Sequence, residues 1–528
     1  MRRNQIATAV LQVGVIAVAL VVLPYKLFEL DRYFVPKELV LHVVALSAAL
    51  LVLARGRTIE LDVADALLAA FLAWSALATV FATNHWLAQR ALGVSVSGAL
   101  VFWSARRISA DAETGSHRLL VGAAIAAVCA VATGLAQAYG VNTDWFSFNR
   151  APGGTFGNRN FVAHFAVIGL PALVYSIVTA RRLGGALLGS IGVAAVAALL
   201  VLSRSRAAWL AVGASAAVVA IPLLASRKYW RGAIPSGRFV LLLLATVIGV
   251  CVAIALPNSL RWTSDSPYLD TARNVVDYSS GSGRGRLTQY ANSMRIALAD
   301  PVFGAGPGNW PVSYPRHAPS NDASLAGDGM TSNPWPSSDW VAFVSERGVV
   351  AAVALFGVFV VLMLGALRRW SQLPTPESVL TKVTLAATIP AVLVVGAFDA
   401  CLLLAAPALL AWCIIGAASG LGRGGRTLHA IGPRWGMVWA MLLLVTGVSI
   451  ARSATQAAAI VTVGEGGSRS GWMQGATLDP GSYRIAVRVA QQMAGRGHCA
   501  EARVYARRAA ALFPSAGEPK RLLRACSR

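Results

Sequence analysis

The chain has 528 residues, of which 56% are hydrophobic and only 13% are charged, and its formal net charge is +23. Soluble domains carry about 25% charged residues. Most Lys and Arg lie at the ends of apolar runs, and no basic block is interleaved with aromatic residues. This distribution argues against nucleic-acid binding and favours a membrane protein in contact with anionic lipid.

Apolar runs near 20 residues in length, separated by short basic connections, predict twelve or thirteen transmembrane helices. The fourth run is short for a full crossing. The first run follows two arginines and has no convincing cleavage site, so it is interpreted as a signal anchor. The predicted spans are 5–24, 38–54, 65–83, 91–104, 119–140, 161–179, 183–202, 207–225, 239–256, 348–367, 380–399, 402–421 and 436–454.

The positive-inside rule predicts a cytoplasmic N-terminus in a bacterial inner membrane, because the basic connections then fall on the cytoplasmic side. The same alternation predicts that residues 141–160, 257–340 and the chain after 455 are periplasmic. The expected fold is an all-α polytopic membrane protein. Its predicted parts are an N-terminal bundle (1–256), a long periplasmic loop or lid carrying active-site residues (257–340), further membrane helices (341–455) and a periplasmic helical hairpin (456–528).

The tail resembles one tetratricopeptide repeat. Residues 482–512 are predicted to form two helices broken at 495–497, and Ala502, Ala509 and Pro514 match the second helix of that repeat. A generic helical hairpin fits the residues about as well. A single repeat cannot bury its own apolar face, so it must pack on the membrane domain, on neighbouring helices or on a protein partner.

Two of the six cysteines, Cys499 and Cys526, lie in this polar tail. In an oxidising periplasm they are able to bridge, although two unrelated thiols are an equal alternative. The other four lie in apolar runs, and no cysteine or histidine spacing matches a zinc site.

Two polar patches flank the sixth and seventh predicted spans. The first is GTFGNRN at 154–160, where Asn158 and Asn160 offer hydrogen bonds to a substrate, or else cap the next helix. The second is SRSR at 203–206. Arg204 and Arg206 oppose the charge bias of a periplasmic end, and guanidinium groups match phosphate oxygens, so they predict an anion site.

Two more patches lie in and after the long 257–340 segment. Arg284 and Arg286 open a predicted helix, whose N-terminal amides and guanidinium groups suit one anion. The glycine-rich stretch after it has no GKS/T and follows no strand, which excludes a nucleotide loop. In the last patch, Asp339 and Glu346 are seven residues apart and share a helix face near a span, which makes them functional candidates.

Taken in order, these segments resemble the O-antigen ligase/polymerase (Wzy-C) superfamily, over roughly residues 10–455. The superfamily includes lipopolysaccharide O-antigen ligases and bacterial O-oligosaccharyltransferases. Each segment alone is a weak signal, whereas the ordered set on one predicted side of the membrane is specific. The segments are GTFGNRN, SRSRAAW, RLTQYANSMRIALADPVFGAGPGNW, PSSDWVAFVSERGVV and Phe398-Asp399.

The resemblance implies a glycosyltransferase of the C type that uses no metal, nucleotide or other cofactor. Its donor would be a glycan on undecaprenyl diphosphate, and its acceptor lipid A-core or another glycolipid. Residues equivalent to Arg206 and Arg286 are expected to bind the diphosphate, with Arg204 and Arg284 beside them. Acceptor attack from the opposite face would invert the anomeric carbon.

The chain departs from the family where a His-Asn pair is expected to orient or deprotonate the acceptor. Ser337 and Ser338 stand there, and with Asn158 and Asn160 they are assigned to substrate binding. Three explanations remain for the proton: Asp339 or Glu346 is the base, His317 reaches the site from the loop, or arginine stabilisation of the leaving group suffices. Loss of activity is a fourth possibility.

A ligase is the favoured function, with a polysaccharide polymerase or a protein O-oligosaccharyltransferase using the same donor as alternatives. A transporter is disfavoured because the spans hold few mid-depth charges and no inverted repeat is evident. An inactive scaffold that presents the tail to a protein partner is the remaining class.

Overall fold

A computed structural model describes residues 2–53, 58–111, 113–147, 149–225, 236–275, 281–326, 328–368, 375–420, 426–429, 433–464 and 467–527. Within these ranges the chain forms twenty α-helices and one two-stranded ribbon. The helices are α1 (Arg2–Leu20), α2 (Asp31–Val52), α3 (Val63–Val80), α4 (His85–Asp111), α5 (Glu113–Ala138), α6 (Arg159–Val178), α7 (Leu183–Ser203), α8 (Arg206–Ala225), α9 (Ser236–Ala255), α10 (Pro267–Arg273), α11 (Gly281–Ala299), α12 (Trp310–Ser313), α13 (Asp339–Leu367), α14 (Pro376–Phe398), α15 (Ala405–Ser419), α16 (Pro433–Val463), α17 (Arg469–Leu478), α18 (Tyr483–Ala494), α19 (Cys499–Leu512) and α20 (Gly517–Ala525).

Each predicted span overlaps one helix, from α1 to α9 and from α13 to α16. Over the described residues, ten of these helices are long and apolar enough to cross a membrane. The apolar stretches of α8 and α15 are shorter, and α4 carries more polar residues. The predicted all-helical polytopic membrane fold is thus confirmed.

One short ribbon departs from the all-helical prediction. Strand β1 (Thr58–Leu61) pairs antiparallel with β2 (Arg426–His429), with Thr58 opposite His429. The two strands come from connections that were predicted to share the cytoplasmic side. They join the N-terminal and C-terminal parts of the bundle at one end.

A buried ion cluster fastens α3 to α4 near that ribbon. Asp65 is 1% exposed, and it accepts hydrogen bonds from Arg106 Nη1 at 2.8 Å and from Trp103 Nε1 at 3.1 Å. Asp62 caps α3 and also pairs with Arg106. Because the carboxylate of Asp65 is satisfied on both sides, its burial is tolerated.

Helix α13 is broken at Gly348, which has φ +76° and ψ 172°. The helix begins at Asp339, nine residues before the predicted span, so the last polar patch forms its first turns. The loop after α11 inserts at the break. There Val349 N donates to Pro301 O at 3.0 Å, and Ala305 N donates to Ser345 O at 2.9 Å.

The segment between α9 and α13 is ordered around α11. Trp310 is 0% exposed and packs on Tyr314 and Ile296. Its Nε1 donates to Ser293 Oγ at 2.8 Å, which ties the loop back to α11. Burial also raises the pKa of the Tyr314 phenol. The segment that was predicted as a loop or lid therefore has a small core of its own.

The tail consists of four helices that pack on the bundle. Helices α18 and α19 flank the predicted break, and Gly497 there has φ +79°. Cys499 and Cys526 form a disulfide. Trp472 packs against Phe28 of the bundle in a shared hydrophobic core, and this contact holds the tail on the bundle. Helix α16 runs to Val463, past the predicted start of the tail at 456.

Replacing Gly348 by alanine should destabilise the protein by at least about 2 kcal/mol, because this backbone region is essentially restricted to glycine. A Cβ at this position would lie 2.5 Å from the carbonyl carbon of Val302 and overlap its oxygen. Thermal unfolding in detergent measures the effect. The matched control is Gly365→Ala in the same helix, where a Cβ would meet nothing within 4 Å. Equal unfolding midpoints for the two variants would contradict this role of the break.

Candidate functional site

The turn between α7 and α8 carries the predicted SRSR patch. Arg204 has φ +54°, and it is the one non-glycine residue with positive φ in the described ranges. Such a conformation costs about 1–3 kcal/mol and persists only where surrounding contacts require it. Arg206 begins α8 directly after the turn, so the strained residue sets the directions of two adjacent guanidinium groups.

These two arginines contact helix α10 and the chain on either side of it. Arg204 Nε donates to Thr271 Oγ1 at 2.7 Å, and Arg206 Nη1 donates to Asn274 O at 2.8 Å. Arg204 also lies 4.8 Å from the ring centroid of Trp262, and Arg159 lies at the same distance from that ring. Arg159, the first residue of α6, was not among the predicted site residues. An indole ring stabilises both cations without neutralising them.

Arg286 approaches the same region from α11. It shares a helix face with Tyr290, one turn later. The Tyr290 hydroxyl donates to Ser337 O at 2.5 Å and contacts Ala397 O at 3.0 Å, which joins α11 to the start of α13 and the end of α14. Arg286 is half-buried on this anchored face.

His164 lies where these elements meet. It is 1% exposed in α6, and its Nε2 lies 3.4 Å from the hydroxyl of Ser205, between the two arginines of the turn. Its Nδ1 is buried without a hydrogen-bond partner among the described residues. The charges of Asp399 and Arg286 both act on its ring. Sequence reasoning missed His164, although an ionisable residue inside a predicted span is itself a functional signal.

The resulting arginine cluster consists of Arg159, Arg204, Arg206 and Arg286, around His164. Asp399 is the carboxylate whose charge reaches this histidine, and its Oδ1 accepts from Ala400 N at 2.9 Å. Several guanidinium groups in one cluster favour binding of a multiply charged anion such as a phosphate or diphosphate.

Asp339 is completely buried, and its carboxylate accepts hydrogen bonds from backbone amides. It accepts from Cys401 N at 3.0 Å, from Leu402 N at 2.7 Å and from Leu403 N at 3.3 Å. The preceding Ser338 caps α13 and donates to Gly396 O at 3.0 Å. These contacts hold the turn that follows Asp399 and connects α14 to α15.

Glu346 is also buried and holds the inserted loop. Its carboxylate accepts from Gly308 N at 2.8 Å and from Trp310 N at 3.1 Å. It lies just before the break at Gly348. It also lines a cavity between the bundle and the tail.

Residues 191–356 match a family model described as O-Antigen ligase. This matched segment supports membership of the O-antigen ligase superfamily. No curated protein matches the chain. The resemblance predicted from the ordered segments is therefore confirmed, and family membership implies an O-antigen ligase-like role in glycan transfer at a membrane.

The matched range begins within α7 and ends within α13. It contains three arginines of the cluster, Arg204, Arg206 and Arg286, and also the buried Glu346. Arg159 and His164 lie before it, and Asp399 lies after it. The candidate site therefore combines residues of the matched segment with residues that lie outside it.

The remaining predicted residues make other contacts. Asn158 caps α6, accepting from Asn160 N at 3.0 Å. Ser337 N donates to Gln289 Oε1 at 2.7 Å, on the face of α11 that packs against α13. Arg284 is exposed. His317 Nδ1 lies 3.1 Å from Ser313 O, and its contacts within the described residues are with its own loop and α11.

Proposed function

We propose that the protein transfers a glycan from undecaprenyl diphosphate to a glycolipid acceptor at the periplasmic face of the inner membrane. The observation that carries this proposal is the arginine cluster around His164 at one end of a membrane bundle of the ligase superfamily. A diphosphate is the group on such a donor whose oxygens match several adjacent guanidinium groups.

In the proposed reaction, an acceptor hydroxyl oxygen bonds to the anomeric carbon as the bond from that carbon to the diphosphate oxygen breaks. The electron pair of the broken bond goes to the diphosphate. Arg206 and Arg286, with Arg204 and Arg159 beside them, stabilise the negative charge that grows there. Attack from the face opposite the leaving group inverts the anomeric carbon.

The hydroxyl proton is assigned to His164, supported by Asp399. Asp339 and Glu346 each accept two or more backbone hydrogen bonds, so both are assigned as positioning residues. Asp339 fixes the turn after Asp399, and Glu346 fixes the loop before α12. His317 remains the alternative base, since it lies in the same long segment.

Purified protein should form product from an undecaprenyl-diphosphate-linked glycan and lipid A-core without ATP or an ion gradient. Replacing Arg206 and Arg286 together by alanine should lower kcat/KM by at least about a hundredfold, because charge stabilisation of the leaving group is lost. Arg503→Ala, an exposed tail arginine, is the matched control. Unchanged product formation in the double variant would refute the diphosphate site, and a requirement for an ion gradient would favour a transporter.

His164→Leu should separate function from stability. The change removes a buried nitrogen that lacks a partner within the described residues, but it also removes the 3.4 Å contact between Nε2 and the Ser205 hydroxyl, so the unfolding midpoint should change little. Transfer should fall by at least about a hundredfold, since a positioned base contributes that much. His498→Ala, an exposed tail histidine, is the control. Full activity in His164→Leu, with a large loss in His317→Ala, would transfer the role to the loop histidine.

The tail disulfide supports a periplasmic location, because such bonds persist in oxidising compartments. In spheroplasts, Cys499 and Cys526 should resist a membrane-impermeant maleimide until an impermeant reductant is added. Closing the 27-residue separation should stabilise the tail by about 3 to 4 kcal/mol on the chain-entropy model. The Cys499→Ala/Cys526→Ala variant supplies the background labelling. Thiols that stay unlabelled after the impermeant reductant is added, but react in permeabilised cells, would contradict the proposed topology.

A further inference from the structure

A cavity of about 320 Å³ lies between the bundle and the tail. Its walls come from α2, α4 and α16, from the loop before α13, and from the chain around α18. A volume of this size accommodates a small ligand or a few sugar rings. The arginine cluster is not among its lining residues, so the cavity is a separate space at the tail-facing end of the bundle.

Both signs of charge line this cavity in near balance. Arg90 donates to Glu38 at 2.8 Å and lies 3.8 Å from Asp31. Arg452 and Asp479 face one another across the junction, and burial raises the pKa of the Asp479 carboxyl. The arginine cluster favours an anion, whereas paired carboxylates and guanidinium groups favour a neutral ligand that both donates and accepts hydrogen bonds.

Several buried polar atoms in the cavity wall lack a hydrogen-bond partner within the described residues. They are Nε and Nη1 of Arg452, Oε1 of Gln456 and the hydroxyl of Tyr483. Gln456 is only 7% exposed, and its Nε2 donates to Asp479 at 3.4 Å, which fixes its carbonyl. Buried polar atoms are nearly always satisfied, so unsatisfied donors and acceptors on side chains that line one cavity point to a ligand with hydroxyl groups.

Aromatic rings complete the wall and connect it to the donor side. Phe34 and Trp335 line the cavity, and their ring centroids are 5.0 Å apart. Both also pack against Phe161, at 5.8 and 6.1 Å. Phe161 lies on α6, one turn before His164, so one layer of rings separates the cavity from the helix that carries His164.

We propose that this cavity binds the sugar residues of the acceptor, an inference that rests on the proposed glycan transfer. Sugar hydroxyls would pair with Gln456, Arg452 and Asp479, and the apolar faces of the rings would lie against Trp335 and Phe34. The tail then forms part of the acceptor site, because Asp479 and Tyr483 belong to it. Acceptor and donor would approach α6 from different sides.

Binding of core oligosaccharide, freed of its lipid, to the full-length protein in detergent tests this site by calorimetry. The wild type should bind it, and Gln456→Leu and Asp479→Asn should each weaken binding by about tenfold, the effect of one lost charged or buried hydrogen bond. Gln474→Leu, an exposed glutamine of α17 outside the cavity, should bind as the wild type does. Inorganic pyrophosphate should not compete.

A parallel titration with the free oligosaccharide of the donor repeat identifies the source of the acceptor. Tight binding of the core sugar supports a ligase-type acceptor, and tight binding of the repeat supports a growing chain; in both cases sensitivity to Gln456→Leu supports the cavity. The inference is overturned if neither sugar binds, if all variants bind equally, or if pyrophosphate competes. Failure of the proposed function would differ: the sugar would bind in the cavity, yet no transfer would depend on Arg206 and Arg286.

Discussion

The break of α13 at Gly348 is the constraint on which the arrangement of the site depends. A continuous helix would have no place for the loop after α11, whose carbonyl and amide at Pro301 and Ala305 bond on either side of the break. Glu346, just before the break, holds two further amides of that loop. Because the loop joins α11 to α12, the same contacts determine where α11 presents Arg286. The conformation of Gly348 thus affects where the guanidinium group of Arg286 lies relative to the turn between α7 and α8.

Carboxylates near membrane-spanning helices are often taken for catalytic groups, and the two acidic residues of the last polar patch illustrate why burial has to be considered. Asp339 and Glu346 are both enclosed, and their carboxylates accept hydrogen bonds from backbone amides, which lowers the cost of burying them. Each holds a non-helical stretch of chain, one after α14 and one before α12. His164 differs, since one of its ring nitrogens is buried and has no hydrogen-bond partner in the part of the chain that the structure describes. An unsatisfied polar atom in a well-packed bundle requires an explanation, and the neighbouring arginines supply a functional one.

The membrane helices were predictable because an apolar run near 20 residues carries its own signal, independent of its neighbours in space. Two of the four described helices of the tail, α18 and α19, were predictable for a similar reason, since glycines mark the break between them. The role of Asp339 was not predictable, because its partners at Cys401 and Leu402 lie more than sixty residues away. The same holds for His164, whose neighbours Ser205, Arg286 and Asp399 come from three other elements. Contacts between distant residues have no sequence period, and a histidine within an apolar run is easily read as part of the core.

The residues of the arginine cluster and the charged residues of the cavity lie mostly on different sides of the boundary of the matched family range. Three arginines of the cluster, Arg204, Arg206 and Arg286, lie within residues 191–356. The charged residues that line the cavity, such as Asp31, Glu38, Arg90, Arg452 and Asp479, nearly all lie outside that range, with Glu346 as the exception. Donors that share a lipid diphosphate require the same guanidinium groups, whereas acceptors differ in their sugars. On the proposed function, residues for the shared group would therefore fall within the recognisable family segment, and residues for the variable acceptor would fall in α2, α4, α16 and the tail, where the sequence is free to differ.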